Sequence, residues 1–172
     1  MNDDHSGPFR YYLADNDGIL FVDCVYAPLF LGCLGAGNIW HWDNRYVAAK
    51  NLYALYAPLT KAVQGVDFER EEFVPIDLSN EKFYCLVLKG KTQVLAFVRN
   101  KKYAWQNVLR DGKTVGYESG TIDFSGVLAK NVDFIPIWKD ERDRVRFDGK
   151  ILTVEKCKRG FLLKGCTGEN SK

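Results

Sequence analysis

Four consecutive residues, Trp40, His41, Trp42 and Asp43, carry the side chains best suited to chemistry, within the stretch GAGNIWHWDN from Gly35 to Asn44. An indole face can cover the C–H side of a sugar ring while neighbouring polar groups bind its hydroxyls. If this stretch is a strand, alternate side chains point to opposite faces, so Trp40 and Trp42 share one side and His41 and Asp43 the other. No Ser or Cys nucleophile is marked beside His41, so a structural or ligand-contacting imidazole is expected there rather than a catalytic base. Asp43 is suited either to accept ligand hydroxyls or to cap a strand end or helix.

Other reactive groups form weaker patterns. The cluster DNDG at Asp15–Gly18 opens like a calcium loop, but the rest of that twelve-residue pattern, with its closing Glu, is missing. Asp17 as a helix N-cap is the expected role. The five cysteines, Cys24, Cys33, Cys85, Cys157 and Cys166, are odd in number and lack C-x-x-C spacing. They are expected to be free and mostly buried thiols, not a zinc site or a disulfide framework. No metal or cofactor is expected.

The elements that must position the WHWD stretch follow from periodicity. Ile19 to Leu34, ILFVDCVYAPLFLGCL, is apolar nearly all round, as in a helix packed on more than one side, with Pro28 placed to kink it. Gly35 to Gly37 lets the chain turn into a short strand, Asn38 to Asp43. After a loop, Leu52, Leu55, Tyr56, Leu59 and Val63 recur at helical spacing, with Asn51 a cap and Gly65 a stop. Met1 to Asp17 reads as a loop. Beyond Gly65 the period becomes two. Eight segments, EEFVPIDL, KFYCLVLK, TQVLAFVR, GTIDFSGVL, VDFIPIWK, DRVRFDG, KILTVEKC and GFLLKG, are separated by turns such as those at 89–92 and 148–150. They read as an antiparallel sandwich uninterrupted by helix, filled by Trp105 and Trp138. The expected fold class is α+β, with residues 1–66 a helix-strand-helix unit and residues 67–172 the sandwich.

Composition sets limits. The chain has 172 residues, of which 47% are hydrophobic and 14% aromatic, enough for a core. Its 24 basic and 22 acidic side chains leave a formal charge of +2, spread without a basic block, which gives nucleic-acid binding no electrostatic support. The apolar run at 19–34 is too short and too interrupted to span a bilayer. The acidic, polar start MNDDHSGPFRYY does not read as an export signal, so a cytoplasmic location is the default expectation.

An apolar helix ending in glycines, the strand WHWD, the NLY that follows, a helix with its own APL, and a β module containing VLAFVRNKKYAW together resemble a known arrangement. They look like the C-terminal end of clan A type glycoside hydrolases: the last turns of a (β/α)8 barrel followed by a small β-sandwich. The resemblance is sharpest at Ala27–Leu59 and Val94–Trp105. It implies that residues 1–66 are a partial (β/α) barrel segment and that Asn38–Asp43 matches the eighth strand. By that match Trp40 first, Trp42 second, and His41 and Asp43 as polar neighbours form part of a sugar-binding floor.

The same resemblance places the two catalytic Glu residues on earlier strands, with no counterpart here. Retaining hydrolysis requires two carboxyl groups about 5–5.5 Å apart. Asp3, Asp4, Asp15, Asp17, Asp23 and Asp43 offer no convincing pair, and Glu69, Glu71 and Glu72 read as solvated charges. The expectation is a carbohydrate-binding portion of a glycoside hydrolase, inactive alone, whose bare surfaces need the missing barrel portion, a rearranged packing on the sandwich, or self-association. The alternative is a non-catalytic carbohydrate- or protein-binding sandwich module. A third reading, an enzyme using Asp43 and His41, is expected to fail.

Overall fold

The computed structural model of the chain describes residues 9–33, 35–39, 41–42, 45–127, 129–138 and 143–167. Helices α1 (Phe9–Ala14), α2 (Ile19–Phe30), α3 (Tyr56–Val63) and α4 (Phe68–Glu71) come first. Eight strands follow: β1 (Val74–Asp77), β2 (Phe83–Lys89), β3 (Gln93–Asn100), β4 (Glu118–Asp123), β5 (Ala129–Pro136), β6 (Arg144–Phe147), β7 (Ile151–Cys157) and β8 (Gly160–Thr167). The class is α+β. The strands form two antiparallel sheets, one of five in the order β1-β2-β3-β8-β5 and one of three in the order β4-β7-β6.

Alternation along β3 explains the layering. Val94, Ala96 and Val98 join Cys85, Val87, Phe161 and Leu163 in a core shared with Ile122, Leu152 and Val154 of the smaller sheet. Leu95 and Phe97, one residue out of phase, join a second core with Val22, Tyr26 and Phe30 of α2 and with Leu55 and Leu59. A strand buried on both faces reads as a continuous apolar run, as VLAFV does. The molecule is thus helices on a five-stranded sheet, with the three-stranded sheet on its far side.

The turn at 89–92 joins β2 to β3, and the turn at 148–150 joins β6 to β7. Between β3 and β4, however, residues 101–110 form short helical turns, a 3-10 turn at Lys101–Tyr103 and a π turn at Gln106–Arg110. The β region is therefore interrupted by helix, because in NKKYAWQN the Asn100 side chain accepts from the Lys102 N–H and starts a turn where no helix was expected.

Several other local expectations are corrected. Part of the expected N-terminal loop is helical, since α1 spans Phe9–Ala14; residues 1–8 lie outside the described residues. The apolar helix ends at Phe30, where Leu31 and a left-handed Gly32 (φ +85°) stop it. Asn38, Ile39, His41 and Trp42 join neither sheet, and among the described residues no strand precedes β1. Pro28 explains part of this. It has no N–H and leaves the Cys24 carbonyl without its helical donor. The segment after α2 packs along that gap, with the Gly37 N–H donating to Val25 O at 3.0 Å. Any side chain at Gly37 would collide with the Cys24 carbonyl. The chain at 35–39 therefore bonds to a helix rather than to a strand.

No helix among the described residues is long and apolar enough to cross a membrane.

Candidate functional site

The described part of the WHWD stretch stands on a framework built by α1, the start of α2 and residues 45–53. Tyr46 and Val47 are fully buried and anchor the turn after the stretch. The Val47 N–H donates to His41 O at 3.1 Å, and the Tyr53 hydroxyl donates to Trp42 O at 2.7 Å. The backbone of both residues is thereby fixed, while the Trp42 side chain is left 62% exposed. Trp40 and Asp43 lie outside the described residues.

His41 is half-buried, its ring edge-on to Tyr12 with centroids 5.0 Å apart. Tyr12 in turn packs on Tyr46 at 4.9 Å. The Tyr46 hydroxyl donates to Asp15 Oδ2 at 2.5 Å and accepts from the Phe21 N–H at 3.1 Å. Asp15 also accepts from the N–H groups of Ile19 and Leu20 at 2.9 and 2.8 Å. These contacts satisfy three N–H groups at the start of α2 that have no helical partner. Asp15, not Asp17, supplies the capping carboxylate; Gly18 (φ +71°) occupies the cap position and turns the chain so that Asp15 reaches past it.

Electrostatically this framework is closed. Burial pushes the Asp15 carboxyl above its ordinary range despite the hydrogen bonds that favour its charge. Burial and the Asp15 charge push the Tyr46 hydroxyl far up, so it stays a donor at neutral pH. Burial, then the charges of Asp23 and Asp15, raise the Cys24 thiol, which is therefore no activated nucleophile.

Two further carboxylates near α2, Asp17 and Asp23, are occupied. Asp17 Oδ1 meets Arg159 at 3.0 Å, and Asp17 Oδ2 accepts from the Tyr103 hydroxyl at 2.6 Å. Its carbonyl accepts from the Trp138 indole N–H at 2.7 Å. Asp23 pairs with Arg99 at 3.0 Å. Two guanidinium groups lie over the Trp138 ring, Arg99 at 5.2 Å and Arg159 at 5.5 Å from its centroid. It belongs to the core on the helix side of the large sheet, not to the sandwich interior. Trp105 is half-buried against Tyr11, centroids 5.3 Å apart, also outside the sandwich interior. Burial raises the Tyr103 hydroxyl to about 12, with its donation to Asp17 adding to the shift.

Glu71 corrects another expectation. It is 4% exposed and accepts from the N–H groups of Thr92 and Gln93 at 2.8 and 3.0 Å and from the Thr92 hydroxyl. These bonds hold its carboxyl below the usual range in spite of burial. Gly90 makes room for it, because a side chain there would strike the Glu71 carboxylate. The thiols also differ from expectation: Cys85 and Cys157 are buried, whereas Cys24, Cys33 and Cys166 are exposed and free. Cys24 and Cys33 sit in an apolar run and are exposed nonetheless.

Sequence reasoning missed Tyr12, Tyr46 and Tyr53, which together fix His41 and Trp42. No spacing rule links tyrosines on three separate segments to one site. Among the described residues, no group of three His, Cys, Asp or Glu side chains is placed to hold a metal ion. Comparison with protein-family models, with curated proteins and with solved structures finds no match.

Proposed function

We propose that this chain is the carbohydrate-facing C-terminal part of a glycoside hydrolase acting on O-glycosidic bonds, and that it binds saccharide without cleaving it. The observation that carries this reading is Trp42: a large indole, 62% exposed, on a backbone tied by the Tyr53 hydroxyl and flanked by a half-buried imidazole. Exposing an indole forfeits the stabilisation of burying it. A fixed, exposed indole suits the C–H face of a pyranose. The resemblance assigns Trp40 and Asp43, which lie outside the described residues, to the same floor.

Lack of cleavage is supported by the state of four carboxylates, two buried and two partly exposed. Asp15 and Glu71 each accept three hydrogen bonds from the protein, and Asp17 and Asp23 are paired with arginines. None of these is open to attack a sugar or to shuttle its protons. The two catalytic acids are proposed to come from other barrel strands, for which the helical layer would be the closing segment. Those strands, or a second copy, would be the protein partner.

The second reading is a saccharide- or protein-binding sandwich module. Its exposed aromatics among the described residues are Phe68, Tyr84 and Tyr117; Phe68 packs on Phe73 at 5.4 Å, and Lys101 and Lys156 already lie over the two tyrosine rings at 4.8 and 4.0 Å. Trp42 is therefore the better platform.

Titrating the chain with neutral oligosaccharides while following tryptophan emission tests the proposal. A saturable change that disappears in Trp42→Ala supports it. A change that survives this substitution, or none with any saccharide, rules it out.

A further inference from the structure

A cavity of about 470 Å³ lies between the end of α2, α3 and α4, over strand β2. Neither Trp42 nor Tyr53 lines it. Leu29, Leu59 and Leu88, each nearly fully buried, form its inner wall, and Val63, Phe68 and Phe73 carry the apolar surface out to the mouth. Among the described residues the one charged group on the lining is Glu72, which Lys91 neutralises at 2.5 Å.

Each of these properties limits the occupant. Water is a poor one, because a buried water requires about two to four polar partners and these apolar walls do not supply them. Apolar matter in its place recovers about 25 cal/mol for each Å² taken out of water. A dry cavity of about 150 Å³ lined by Leu, Ile and Phe takes benzene, so roughly three times that space suits a molecule larger than one ring. A charged ligand would give up its hydration for walls whose single carboxylate is already paired.

The charges at the mouth disfavour a macromolecule. Phe68 begins α4 and Glu72 ends it; Glu69 and Arg70 between them are exposed, and Lys91 stands beside Glu72. A bilayer or a flat apolar protein face laid over the mouth would strip water from these charges, whereas a small molecule passes between them.

We propose that this cavity binds an uncharged, largely apolar small molecule, bulkier than a single benzene ring, whose body lies on Leu29, Leu59, Leu88 and Phe68. The site is separate from Trp42 and takes a different chemistry, so the two proposals fail separately.

Titrating the full chain with the neutral fluorophore N-phenyl-1-naphthylamine, and following its emission, tests this. A saturable rise with one site per chain is expected, reversed by 1-decanol and at least about tenfold less effectively by decanoate. Val63→Trp, which fills the cavity from the last turn of α3, is expected to weaken the fluorophore about tenfold or more. Phe68→Ala, at a residue 41% exposed and outside both cores, folds even if the larger side chain at position 63 does not, and is expected to weaken it about fivefold. Trp42→Ala is expected to leave it unchanged. No saturable binding, equal displacement by decanoate, or indifference to Phe68→Ala would overturn the proposal. So would loss of binding in Trp42→Ala, which would put the fluorophore on that indole. A dimer in sedimentation that excludes the fluorophore would overturn it as well, by showing that a second copy fills the cavity.

Discussion

Strand β3 is buried on both faces, yet what lies against each face differs in kind. Toward the small sheet, Val94, Ala96 and Val98 meet Ile122, Leu152, Val154 and Phe161, and polar groups enter mainly at the end, where Asn100 donates to Lys158 O at 2.9 Å. Toward the helices, Leu95 and Phe97 meet Tyr26 and Phe30, and the next inward residue is Arg99, 4% exposed and bound to Asp23. Arg159 and Trp138 bind Asp17 beside it, and the Tyr26 hydroxyl donates to Leu55 O. Alternation commits one face of each sheet to the other, and apolar matching holds the two sheets together there. Helices can slide and rotate on a sheet, and here directional bonds fix their position.

The largest blow to the helix-side face is expected from Phe97→Ala. Phe97 is 3% exposed and lies 5.5 Å from Tyr26 and 5.6 Å from Phe30, centroid to centroid. Emptying that space should cost about 4 kcal/mol in urea unfolding. A loss below about 1 kcal/mol would mean that the helices do not depend on β3.

Next in size is the asymmetry of the ion pair. Asp23→Ala strands a buried guanidinium and should cost about 3 kcal/mol, eased by the bonds Arg99 keeps to the carbonyls of Arg159 and Tyr103. Arg99→Met leaves behind a carboxylate whose side chain is already 34% exposed, so it should cost clearly less. Equal costs would show that the pair acts as attraction alone, not as a buried charge in need of a partner.

This difference in kind also governs what could be read from the sequence. All eight strands were legible, because short β-rich runs, alternating or continuously apolar, and turns such as Asp148–Lys150 are local signals. The apolar helix was legible for the same reason, within a few residues at its end. The break at 101–110 was not, since its cap depends on one asparagine at the end of a strand. The expected strand at 38–43 failed on a tertiary contact, the approach of Gly37 to the carbonyl that Pro28 leaves open. Glu71 read as solvated because nothing nearby in sequence announces that Thr92 and Gln93 will bind it. At the site, Trp42 and His41 were legible by residue type. The tyrosines that hold them were not, because each comes from a different segment. Contacts between distant segments are what a single sequence conceals, and the helix side of β3 is made mostly of them.

The smallest expected effect concerns Asp15, where two terms compete on that same side. Three donors favour its charged form, and burial opposes it. The net result is a carboxyl raised above its ordinary value of 3.8. The folded state therefore holds the Asp15 proton more tightly than the unfolded chain does. The stability this contributes is complete below the unfolded value and is lost as pH rises through the folded one. Asp15→Asn has no such proton to lose. Its cost in urea unfolding, from the acceptor it denies Leu20 or Tyr46, should be greatest in acid and shrink toward neutral pH. A cost that instead grows with pH would show that the hydrogen bonds outweigh burial. Asp15 would then be a charged cap on α2, and the two faces of β3 would differ less than their buried side chains suggest.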